Sequence, residues 1–538
     1  MRIFLMALMV ALGFTAFAQT AENRPKLVVG VVVDQMRYDF LYRYSEKYGD
    51  TGFKRLLKNG YSCENTHIPY VPTFTAPGHT CIYTGSVPAI HGIVGNDWYS
   101  RQTKHFQYCT TDTSFVTVGA KGKTGQQSPN QLKATTITDE LRLATNFKSK
   151  TIGIALKDRS SILPAGHAAN HAYWYDGKSG NFVSSSYYGD TLPAWVNAFN
   201  ARGLAASYLK SNWNVLQKNG YAESTEDDVN WESNYTNEEH PVFPHRVDEL
   251  TKNGYAILPA TPWGNSITFE MAKAAIKNEN LGRNGTTDFL AVSFSSTDYI
   301  GHQFGPNSVE TEDGYLRFDK ELGEFLIYLD QTVGAGNYLL FLSADHGVSH
   351  AVGFNKKHNI PAGNVKDHDL DSICNKYLYE QYGEKNMVEA LVNFQVYLNQ
   401  AVLEKHDIRE KDVVSDLSAF LMKQPNVKAV VDLHHLSATT LEPQLKERLT
   451  NGYNHQLSGD LQIIYEPAVL EAFETGTTHG SNYNYDTHIP LVWFGWNVKA
   501  GKDFSEVRMT DIAATLAAML HIQEPSGCVG KPIQGLLK

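Results

Sequence analysis

Five short apolar runs constrain the fold of this chain more than any other feature of its sequence. The first is Leu-Val-Val-Gly-Val-Val-Val at residues 27–33, and the others occupy residues 151–156, 288–294, 338–343 and 489–495. Uninterrupted apolar runs of this length are typical of strands that are buried on both faces, as in a parallel sheet covered by helices. We therefore predict an α/β protein with a central, mostly parallel β-sheet sandwiched by helices.

The length and composition are those of a globular protein with a large core. The chain has 538 residues, of which 42% are hydrophobic and 19% charged, and this is enough for one big domain with insertions. Two stretches, at about 165–285 and 350–470, are irregular, and we predict them to be cap insertions within a single domain spanning residues 19–538. The net charge of −10 comes without a basic stripe, which argues against nucleic acid as a partner.

The first residues have the features of a secretory signal peptide. Arg2 is followed by an apolar run at residues 3–17 and by the cleavage pattern Ala16-Phe17-Ala18, so we expect residues 1–18 to be removed. The run is too short to span a bilayer comfortably, and no cysteine near the cleavage site offers a lipid anchor. We therefore predict an exported protein, periplasmic or secreted, without a membrane anchor.

Residues that can bind metals or anions follow four of the apolar runs. The carboxyl ends of strands are where open α/β sheets place their functional sites. Taken singly, each residue also has a structural explanation, such as a helix cap for an aspartate or a solvated strand end for a cation. Their recurrence at one predicted edge of the sheet makes them candidate site residues: Asp34, Lys157, Arg159, Asp298, His302, Asp345 and His346.

A histidine before the fifth run completes the set of possible metal ligands. His479 and His488 compete for this position, and we prefer His479 because Gly480 beside it permits a close backbone approach. The chain then offers three carboxylates and three imidazoles, which suffice for two zinc ions that each keep an open position. None of the five cysteines is in a C-x-x-C pair, which argues against a thiolate zinc site.

A threonine at a predicted helix start is the candidate nucleophile. Within residues 71–80, a β-prone run with a proline leads into Thr75, and the sequence after it tolerates Pro77 in the first turn of a helix. Thr75 is then expected at the N-cap, where free backbone N–H groups and the helix dipole favour negative charge. A hydroxyl at that position can be a structural cap or a nucleophile.

Two cations and an amide are candidates for holding an anion. If the second strand continues beyond residue 156, Lys157 and Arg159 point the same way, because strand side chains alternate, and they form a plausible oxyanion clamp. A solvated, charged strand end is the alternative for these two residues. Asn96 lies in a Gly-Asn-Asp sequence and, taken alone, is a turn former.

The motif Thr75-Ala-Pro-Gly-His79, the Lys157-x-Arg159 pair, and the acid and imidazole positions resemble the alkaline phosphatase superfamily of bimetallo-hydrolases over nearly the whole mature chain. The likeness is greatest to the monomeric bacterial alkaline phosphatases of the PafA type. It implies an alkaline phosphatase-like fold, a monomer and two zinc ions per chain. It also implies hydrolysis of small-molecule phosphate monoesters through a phosphothreonine intermediate, with release of inorganic phosphate.

The resemblance further implies a metal role for seven of the candidate residues. One zinc ion would be bound by Asp298, His302 and His479. The other would be bound by Asp34, Asp345 and His346, with the Thr75 hydroxyl oxygen as its fourth ligand.

The remaining candidates would bind the phosphoryl group. The resemblance implies that Asn96 and Arg159 contact the phosphoryl oxygens directly, and that Lys157 does so directly or through water. Lys157 occupies the place where some relatives bind magnesium, so no third metal ion is expected.

The sequence leaves several alternative functions to be weighed. A phosphodiesterase of the nucleotide pyrophosphatase type shares the two zinc ions and the threonine, but a cationic clamp suits a dianionic monoester better than a diester. Residues 75–85 are also similar in layout to the sulfatase signature, yet sulfatases need Cys or Ser where Thr75 stands and Arg where His79 stands. An export signal argues against a glycolytic mutase, and the complete ligand set argues against a binding protein that has lost catalysis.

Overall fold

The structure is a computed structural model that describes residues 24–217, 220–365, 367–471 and 475–537. The predicted signal peptide, residues 1–18, therefore lies outside the described residues. None of the helices in the described part of the chain is long and apolar enough to cross a membrane.

A ten-stranded sheet forms the centre of the molecule. Its strands, in order across the sheet, are β20 (Gly501–Asp503), β2 (Tyr61–Cys63), β19 (Leu491–Gly495), β11 (Tyr338–Ser343), β1 (Leu27–Val33), β10 (Asp288–Phe294), β7 (Thr151–Ile154), β8 (His171–Asp176), β9 (Asn181–Ser185) and β6 (Thr117–Val118). The five strands from β11 to β8 are all parallel. Antiparallel pairing occurs on either side of them, at β19 and at β9. The predicted α/β class with a mostly parallel central sheet is confirmed.

Helices cover both faces of this sheet. Phe289 and Phe294 of β10 are an odd number of residues apart, so their side chains point to opposite faces. Phe289 packs against Tyr83 with ring centroids 5.9 Å apart, and Phe294 packs against Phe269 at 4.1 Å. Tyr83 lies in the helix Thr75–Thr84 and Phe269 in the helix Trp263–Asn278, on opposite faces of the sheet. The helices of the described residues are α1 (Phe40–Arg43), α2 (Phe53–Asn59), α3 (Thr75–Thr84), α4 (Pro88–His91), α5 (Ile137–Ala144), α6 (Asp158–Ala165), α7 (Ala194–Asn200), α8 (Leu204–Tyr208), α9 (Trp263–Asn278), α10 (Ser296–Phe304), α11 (Val309–Leu329), α12 (Val352–Lys357), α13 (Asp367–Tyr382), α14 (Gln400–Lys405), α15 (Glu410–Leu421), α16 (Pro443–Gly452), α17 (Asn484–Thr487) and α18 (Asp511–Leu520).

The central strand β1 shows why its sequence is uniformly apolar. All seven of its residues are buried, and each buried valine or leucine contributes about 1.5–3 kcal/mol relative to an exposed one. Gly30 sits where a Cβ would overlap the hydroxyl of Tyr83 and the ring of Phe341. Its lack of a side chain therefore lets α3 approach the sheet closely.

The direction of β19 explains why His479, which precedes a strand, lies at the same edge of the sheet as the candidate residues that follow the parallel strands. β19 is antiparallel to β11, with Leu491 opposite Ser343 and Gly495 opposite Leu339. The chain entering β19 therefore arrives at the edge where the parallel strands end. His479, which precedes this strand, is delivered to that edge.

The two predicted insertions have different structures. Part of the stretch at 165–285 extends the main sheet, because β8 and β9 lie within it. The stretch at 350–470 builds a four-stranded sheet of its own, with a separate apolar core that includes Leu398, Val413 and Leu461. Its strands, in order, are β13 (Val388–Val392), β14 (Gln395–Leu398), β16 (Leu461–Tyr465) and β15 (Val427–Asp432). The division into one domain with insertions stays a prediction.

The remaining strands of the described residues form three small sheets, and short 3-10 or π helices connect several elements. The small sheets pair β12 (Gly363–Val365) with β17 (Val469–Glu471), β4 (Asp97–Ser100) with β5 (His105–Tyr108), and β3 (Thr66–His67) with β18 (His488–Ile489) and β21 (Val507–Arg508). These short helices are Val247–Asn253, Leu258–Ala260, Asp330–Gly334, Leu433–Ala438 and Gln534–Leu536.

Candidate active site

The carboxyl edge of the parallel strands brings the predicted metal ligands into two groups. Asp34 follows β1, Asp345 and His346 follow β11, and the three offer ligand atoms that lie within 4.8 Å of one another. The second group has the same spacing and combines Asp298 and His302 of α10 with His479 from the loop before β19. These are the two sets that the resemblance implies.

The geometry of the first group fits a tetrahedral ion. Nε2 of His346 lies 3.5 Å from Oδ1 of Asp34, 3.4 Å from Oδ2 of Asp345 and 3.4 Å from Oγ1 of Thr75. Tetrahedral zinc with bonds of about 2.0 Å places its ligand atoms about 3.3 Å apart. Oδ1 of Asp34 and Oδ2 of Asp345 are also buried without a hydrogen-bond partner, which suits oxygens that face a cation. The residues present therefore fit a metal ion.

The second group fits a metal ion by its donor chemistry. Asp298 and His302 are four residues apart on α10 and so lie on one face of it. Oδ1 of Asp298 is 3.1 Å from Nε2 of His302 and 3.8 Å from Nε2 of His479. His488, the competing candidate, lies elsewhere, because its Nε2 is 3.1 Å from the backbone oxygen of Glu64. The structure thus brings His479 to this group and places His488 apart from it.

Backbone carbonyls orient all three histidines. Nδ1 of His346 is 3.0 Å from the oxygen of Gly347, Nδ1 of His302 is 2.8 Å from that of Thr477, and Nδ1 of His479 is 2.7 Å from that of Thr73. A carbonyl only accepts, so each Nδ1 carries the proton. Each Nε2 then presents a lone pair to its group, which is the tautomer that a metal ligand needs.

The helix that carries Thr75 begins one residue earlier than expected. Phe74 is the N-cap, with the extended angles φ −114° and ψ 163°, and Thr75 is the first helical residue. The predicted N-cap position of Thr75 is therefore wrong. Its hydroxyl faces His346 and Lys157, with Nζ of Lys157 3.5 Å away, rather than a backbone N–H of its own helix. Gly78 allows this close approach, because a Cβ there would overlap the backbone of Asp345.

Asn96 contacts the first turn of the same helix. Its Oδ1 accepts a hydrogen bond of 2.9 Å from the backbone N–H of Ala76. The residue lies in a bend just before β4, in keeping with its turn-like sequence. The contact places the Asn96 amide beside the N-terminus of α3, where an anion is favoured.

The strand that was expected to orient Lys157 and Arg159 stops before it reaches them. β7 ends at Ile154, Lys157 is the N-cap of α6, and Arg159 lies inside that helix. The argument from strand alternation is therefore wrong. Lys157 still reaches the site, since its Nζ lies 2.8 Å from Oδ2 of Asp34 and 2.6 Å from Oδ2 of Asp298. It thus contacts one carboxylate of each metal group.

The buried charges of the site influence one another strongly. Burial and the carboxylate of Asp345 raise the pKa of Asp34 well above its usual range. Burial also acts to raise the pKa of Asp298, but His302 and Lys157 hold that pKa well below its usual value. The pKa of Lys157 is raised, because Asp298 and Asp34 outweigh the effect of its burial. Lys157 is therefore a charged ammonium, and a cation beside Asp34 would favour its ionised form.

Several residues of the site were not identified from the sequence. Gln35 donates from Nε2 to Oδ1 of Asp298 at 2.8 Å and from its backbone N–H to Oδ1 of Asp345 at 3.2 Å. His79 has Nδ1 2.9 Å from the backbone oxygen of Thr75 and 3.2 Å from Oδ2 of Asp345. The signal for His79 was its place four residues after Thr75, and that for Gln35 was its place directly after Asp34.

A tyrosine and an aspartate hold Arg159. The hydroxyl of Tyr108, from β5, accepts a hydrogen bond of 3.0 Å from Nη1 of Arg159 and donates one of 2.6 Å to Oδ1 of Asp158. The Tyr108 hydroxyl and the Asp158 carboxylate raise the pKa of Arg159 despite its burial, so the guanidinium is charged. Its Nε is buried without a hydrogen-bond partner, so a donor remains for a bound anion.

A third group of potential ligands lies in the small four-stranded sheet and its helices. Glu410, His434 and Asp460 offer ligand atoms within 4.8 Å of one another. Arg101 already pairs with Asp460, with Nη2 and Oδ1 2.9 Å apart. This group is half-exposed and contains a competing cation, and it is not one of the sets that the sequence predicted.

The sequence matches the family model described as type I phosphodiesterase / nucleotide pyrophosphatase over residues 28–488. A protein of Myroides odoratus named calcium-transporting ATPase is 49% identical over 528 residues, which cover 97% of this chain and 96% of that protein. Alkaline phosphatase PafA of Elizabethkingia meningoseptica is 47% identical over 537 residues, which cover 98% of each. A crystal structure of wild-type alkaline phosphatase PafA matches with a TM-score of 0.95 at 47% identity, covering 96% of this chain and 100% of that one.

Proposed function

The chain belongs to the type I phosphodiesterase / nucleotide pyrophosphatase family, and from this premise we propose that it is an exported alkaline phosphatase with two zinc ions and a phosphothreonine intermediate. The relatives confirm the superfamily resemblance, and the TM-score of 0.95 confirms the alkaline phosphatase-like fold. The chain is accordingly a phosphate-monoester hydrolase that needs a metal cofactor. The identity and number of the ions, the residue roles and the export are our proposals.

The observation that carries the residue assignment is the position of Thr75. Its hydroxyl oxygen lies 3.4 Å from Nε2 of His346, as near as the carboxylate oxygens of that metal group. A capping hydroxyl would instead bond a backbone N–H of its own helix. We therefore propose that the buried Thr75 hydroxyl is a metal ligand and the nucleophile.

The chain's own residues account for both steps of the proposed reaction. Zinc ions bound by the two groups would lower the pKa of the Thr75 hydroxyl and offset the charge that develops on the leaving oxygen. Oγ1 of Thr75 attacks the phosphorus, the bond from phosphorus to the leaving alcohol oxygen breaks, and phosphothreonine forms. Water then attacks the phosphorus, the bond to Thr75 breaks, and inorganic phosphate leaves.

Fixed positive charge holds the phosphoryl oxygens during this transfer. Arg159 is proposed to bind them directly, Asn96 from beside the N-terminus of α3, and Lys157 directly or through water. A loose phosphoryl-transfer transition state carries most of its charge on the oxygens that do not react, so prepositioned donors stabilise it. The N-terminus of α3 adds backbone N–H groups at the same place.

The same charges favour a monoester over the diester that the family name includes. A monoester dianion has one more negative charge than a diester, and Lys157 and Arg159 are both ionised. By the resemblance, Lys157 takes the place where some relatives bind a third ion, so we expect no magnesium. We further propose that residues 1–18 are removed when the protein is exported to the periplasm or the medium. The mature protein would act as a monomer on small phosphate esters.

The experiment that tests this function compares three substrates that share one leaving group. The zinc-loaded protein should hydrolyse an aryl phosphate with a higher kcat/KM than the matched diester or the aryl sulfate. Acid quench during turnover should trap radioactive phosphate on Thr75. A higher kcat/KM for the diester would return the diesterase alternative, and phosphate trapped on any other residue would refute the role of Thr75.

A further inference from the structure

Gln35, which directly follows Asp34, has a strained backbone at the centre of the site. Its φ is +65°, in the left-handed region that residues other than glycine and asparagine rarely adopt, and the residue is only 2% exposed. Strain of this kind costs free energy and persists where the surrounding contacts over-determine the backbone, most often at functional sites. The contacts of Gln35 therefore indicate what its conformation is for.

The side-chain amide of Gln35 holds one oxygen of Asp298. Its Nε2 donates a hydrogen bond of 2.8 Å to Oδ1 of Asp298, and this carboxylate oxygen can only accept, so the amide nitrogen must face it. The same Oδ1 lies 3.1 Å from Nε2 of His302 and 3.8 Å from Nε2 of His479. It is therefore the oxygen that faces the second metal group. The other oxygen, Oδ2, is held by Nζ of Lys157 at 2.6 Å, so both oxygens of Asp298 are fixed.

The backbone N–H of Gln35 holds one oxygen of Asp345 in the first metal group. It donates a hydrogen bond of 3.2 Å to Oδ1 of Asp345, and the backbone N–H of His346 donates to the same oxygen at 3.1 Å. Oδ2 of Asp345 is left to face Nε2 of His346, 3.4 Å away. Gln35 thus contacts a carboxylate of each metal group, one through its side chain and the other through its main chain. The left-handed backbone is the conformation in which both contacts are made.

A glycine in the helix α10 leaves room for the Gln35 amide. A Cβ at Gly301 would overlap Oε1 of Gln35, and the three atoms nearest to that Cβ all belong to the same amide group. Gly301 lies between Asp298 and His302, the two ligands that α10 supplies to the second metal group. The Gln35 amide is therefore confined by the same helix whose carboxylate it holds.

We propose that Gln35 is a positioning residue that holds the two metal groups in one relative position. This inference rests on the proposed function only in taking both groups to bind zinc. Hydrogen bonds from surrounding residues orient the side chains that bind a metal, and loss of one typically lowers the metal affinity about 10- to 100-fold. Glycine or asparagine would relieve the strained backbone, but neither side chain would carry an amide as far as Asp298. The need to reach Asp298 explains why a glutamine occupies this position.

Zinc binding by the variant Gln35→Met tests this role without any measurement of activity. Methionine keeps the length of the side chain but has no amide donor. Competition with a chromophoric chelator should show that one of the two zinc dissociation constants rises roughly 10- to 100-fold. The other should be unchanged, because the backbone N–H that contacts Asp345 is retained. Gln395→Met is the matched control, since it removes a buried 3.0 Å hydrogen bond to Gln462 outside the site and should change neither constant.

Three further variants identify the affected group and separate positioning from folding. His479→Ala should keep only the zinc ion of the first group, and adding Gln35→Met to it should change the remaining dissociation constant no further. Gly301→Ala should weaken zinc binding as Gln35→Met does, because the new methyl group crowds the amide, although alanine is favoured over glycine inside a helix. Gln35→Asn suits the left-handed backbone but is too short to reach Asp298. It should weaken zinc binding while the metal-free protein has at least the Tm of metal-free wild type.

The possible outcomes distinguish this inference from the proposed function. Zinc dissociation constants equal to those of wild type in Gln35→Met or Gln35→Asn would overturn the inference and leave the proposed function intact. Equal weakening of both zinc ions, or a metal-free Gln35→Asn with a lower Tm than metal-free wild type, would show a general structural role and would also overturn it. A wild type that binds fewer than two zinc ions would refute the proposed function and this inference together.

Discussion

The hydroxyl of Tyr108 accepts a 3.0 Å hydrogen bond from Nη1 of Arg159. Arg159, which we propose to bind the phosphoryl group, is thereby held by β5, a strand outside the main sheet. Because the same hydroxyl donates to Asp158, it can present only a lone pair to the guanidinium. The Tyr108 ring thus sets the orientation of Arg159 without touching the reacting atoms, and Tyr108 is a positioning residue.

Replacing Tyr108 with Phe tests this relationship. A hydrogen bond to a charged group contributes about 1.5–3 kcal/mol, so we expect kcat/KM for a monoester to fall roughly 10- to 100-fold. The loss should be smaller for a diester, and bound zinc should not change. Tyr397→Phe is the matched control, since it removes a 2.9 Å hydrogen bond to Leu457 outside the site. An equal loss for both esters would indicate a general structural role.

Substitution of His479 or His488 tests which of these two histidines is a zinc ligand. His479→Ala should lower the zinc content by one ion per chain, because His479 belongs to the group of Asp298 and His302. His488→Ala should retain both ions, because His488 bonds Glu64 instead. Elemental analysis of the purified variants gives the answer, and chelation of the wild type should abolish activity that zinc restores better than magnesium. Zinc loss in His488→Ala alone would reverse the assignment.

Substitutions of Thr75 separate a nucleophile from a cap. Thr75→Ala should lower turnover by roughly 10⁴- to 10⁶-fold and trap no phosphoenzyme, by analogy with hydrolases that lose their nucleophile. Thr75→Ser keeps the oxygen and should retain much of the activity. Rapid quench with labelled substrate measures both. Wild-type turnover in Thr75→Ala would leave Thr75 with a structural role only.

The ion pairs of His245 predict how stability depends on pH. The folded-state pKa of about 9 exceeds the ordinary value of 6.5, because Glu238 and Glu310 outweigh the effect of burial. A raised pKa means that the stabilisation is fully present below about pH 6.5 and is lost as the pH rises through 9. It amounts to roughly 3 kcal/mol in the free energy of unfolding. Urea unfolding between pH 6 and 9.5 should show this fall in wild type and a flatter profile in His245→Gln.

The predicted part of the fold is the part buried on both faces. β1, β10 and β11 were predictable because all of their residues are buried and most of them are apolar. The strands on the far side of β7 were not predicted, because they are short or mixed in character, as in the Thr117–Val118 strand at the edge of the sheet and the aromatic β8 inside it. Such strands are defined by their neighbours in space, which the sequence does not display.

Site residues could be predicted where the local sequence indicates them, and not where only a contact distant in sequence brings them to the site. Asp34, Asp345 and His346 were predictable because each lies within three residues of the end of a central strand. Tyr108 was not, because β5 lies outside the main sheet and carries no local sign of its contact with Arg159. The errors at Thr75 and Lys157 both concern where a helix begins, and one residue's backbone angles decide that position.

The double substitution of Lys157 and Arg159 by Ala tests the specificity of the site. Lys157 pairs with Asp34 and Asp298, and Arg159 keeps a buried Nε without a partner. Each charge-assisted contact to a phosphoryl oxygen is worth about 2–4 kcal/mol in the transition state. We therefore expect kcat/KM for monoesters to fall by several orders of magnitude and that for diesters to fall much less, because a diester offers fewer charged oxygens.

The design of this test must separate the phosphate contacts of Lys157 from its contacts with metal ligands. The two losses need not add, because both cations would face one substrate group, so each single variant is measured with the double variant. Lys150→Ala removes a 2.7 Å ion pair with Glu279 away from the site and serves as the matched control. Zinc content is determined for every protein. An equal loss of kcat/KM for both esters at unchanged zinc content would mean that the two cations do not distinguish substrates by their charge. The diesterase alternative would then be favoured.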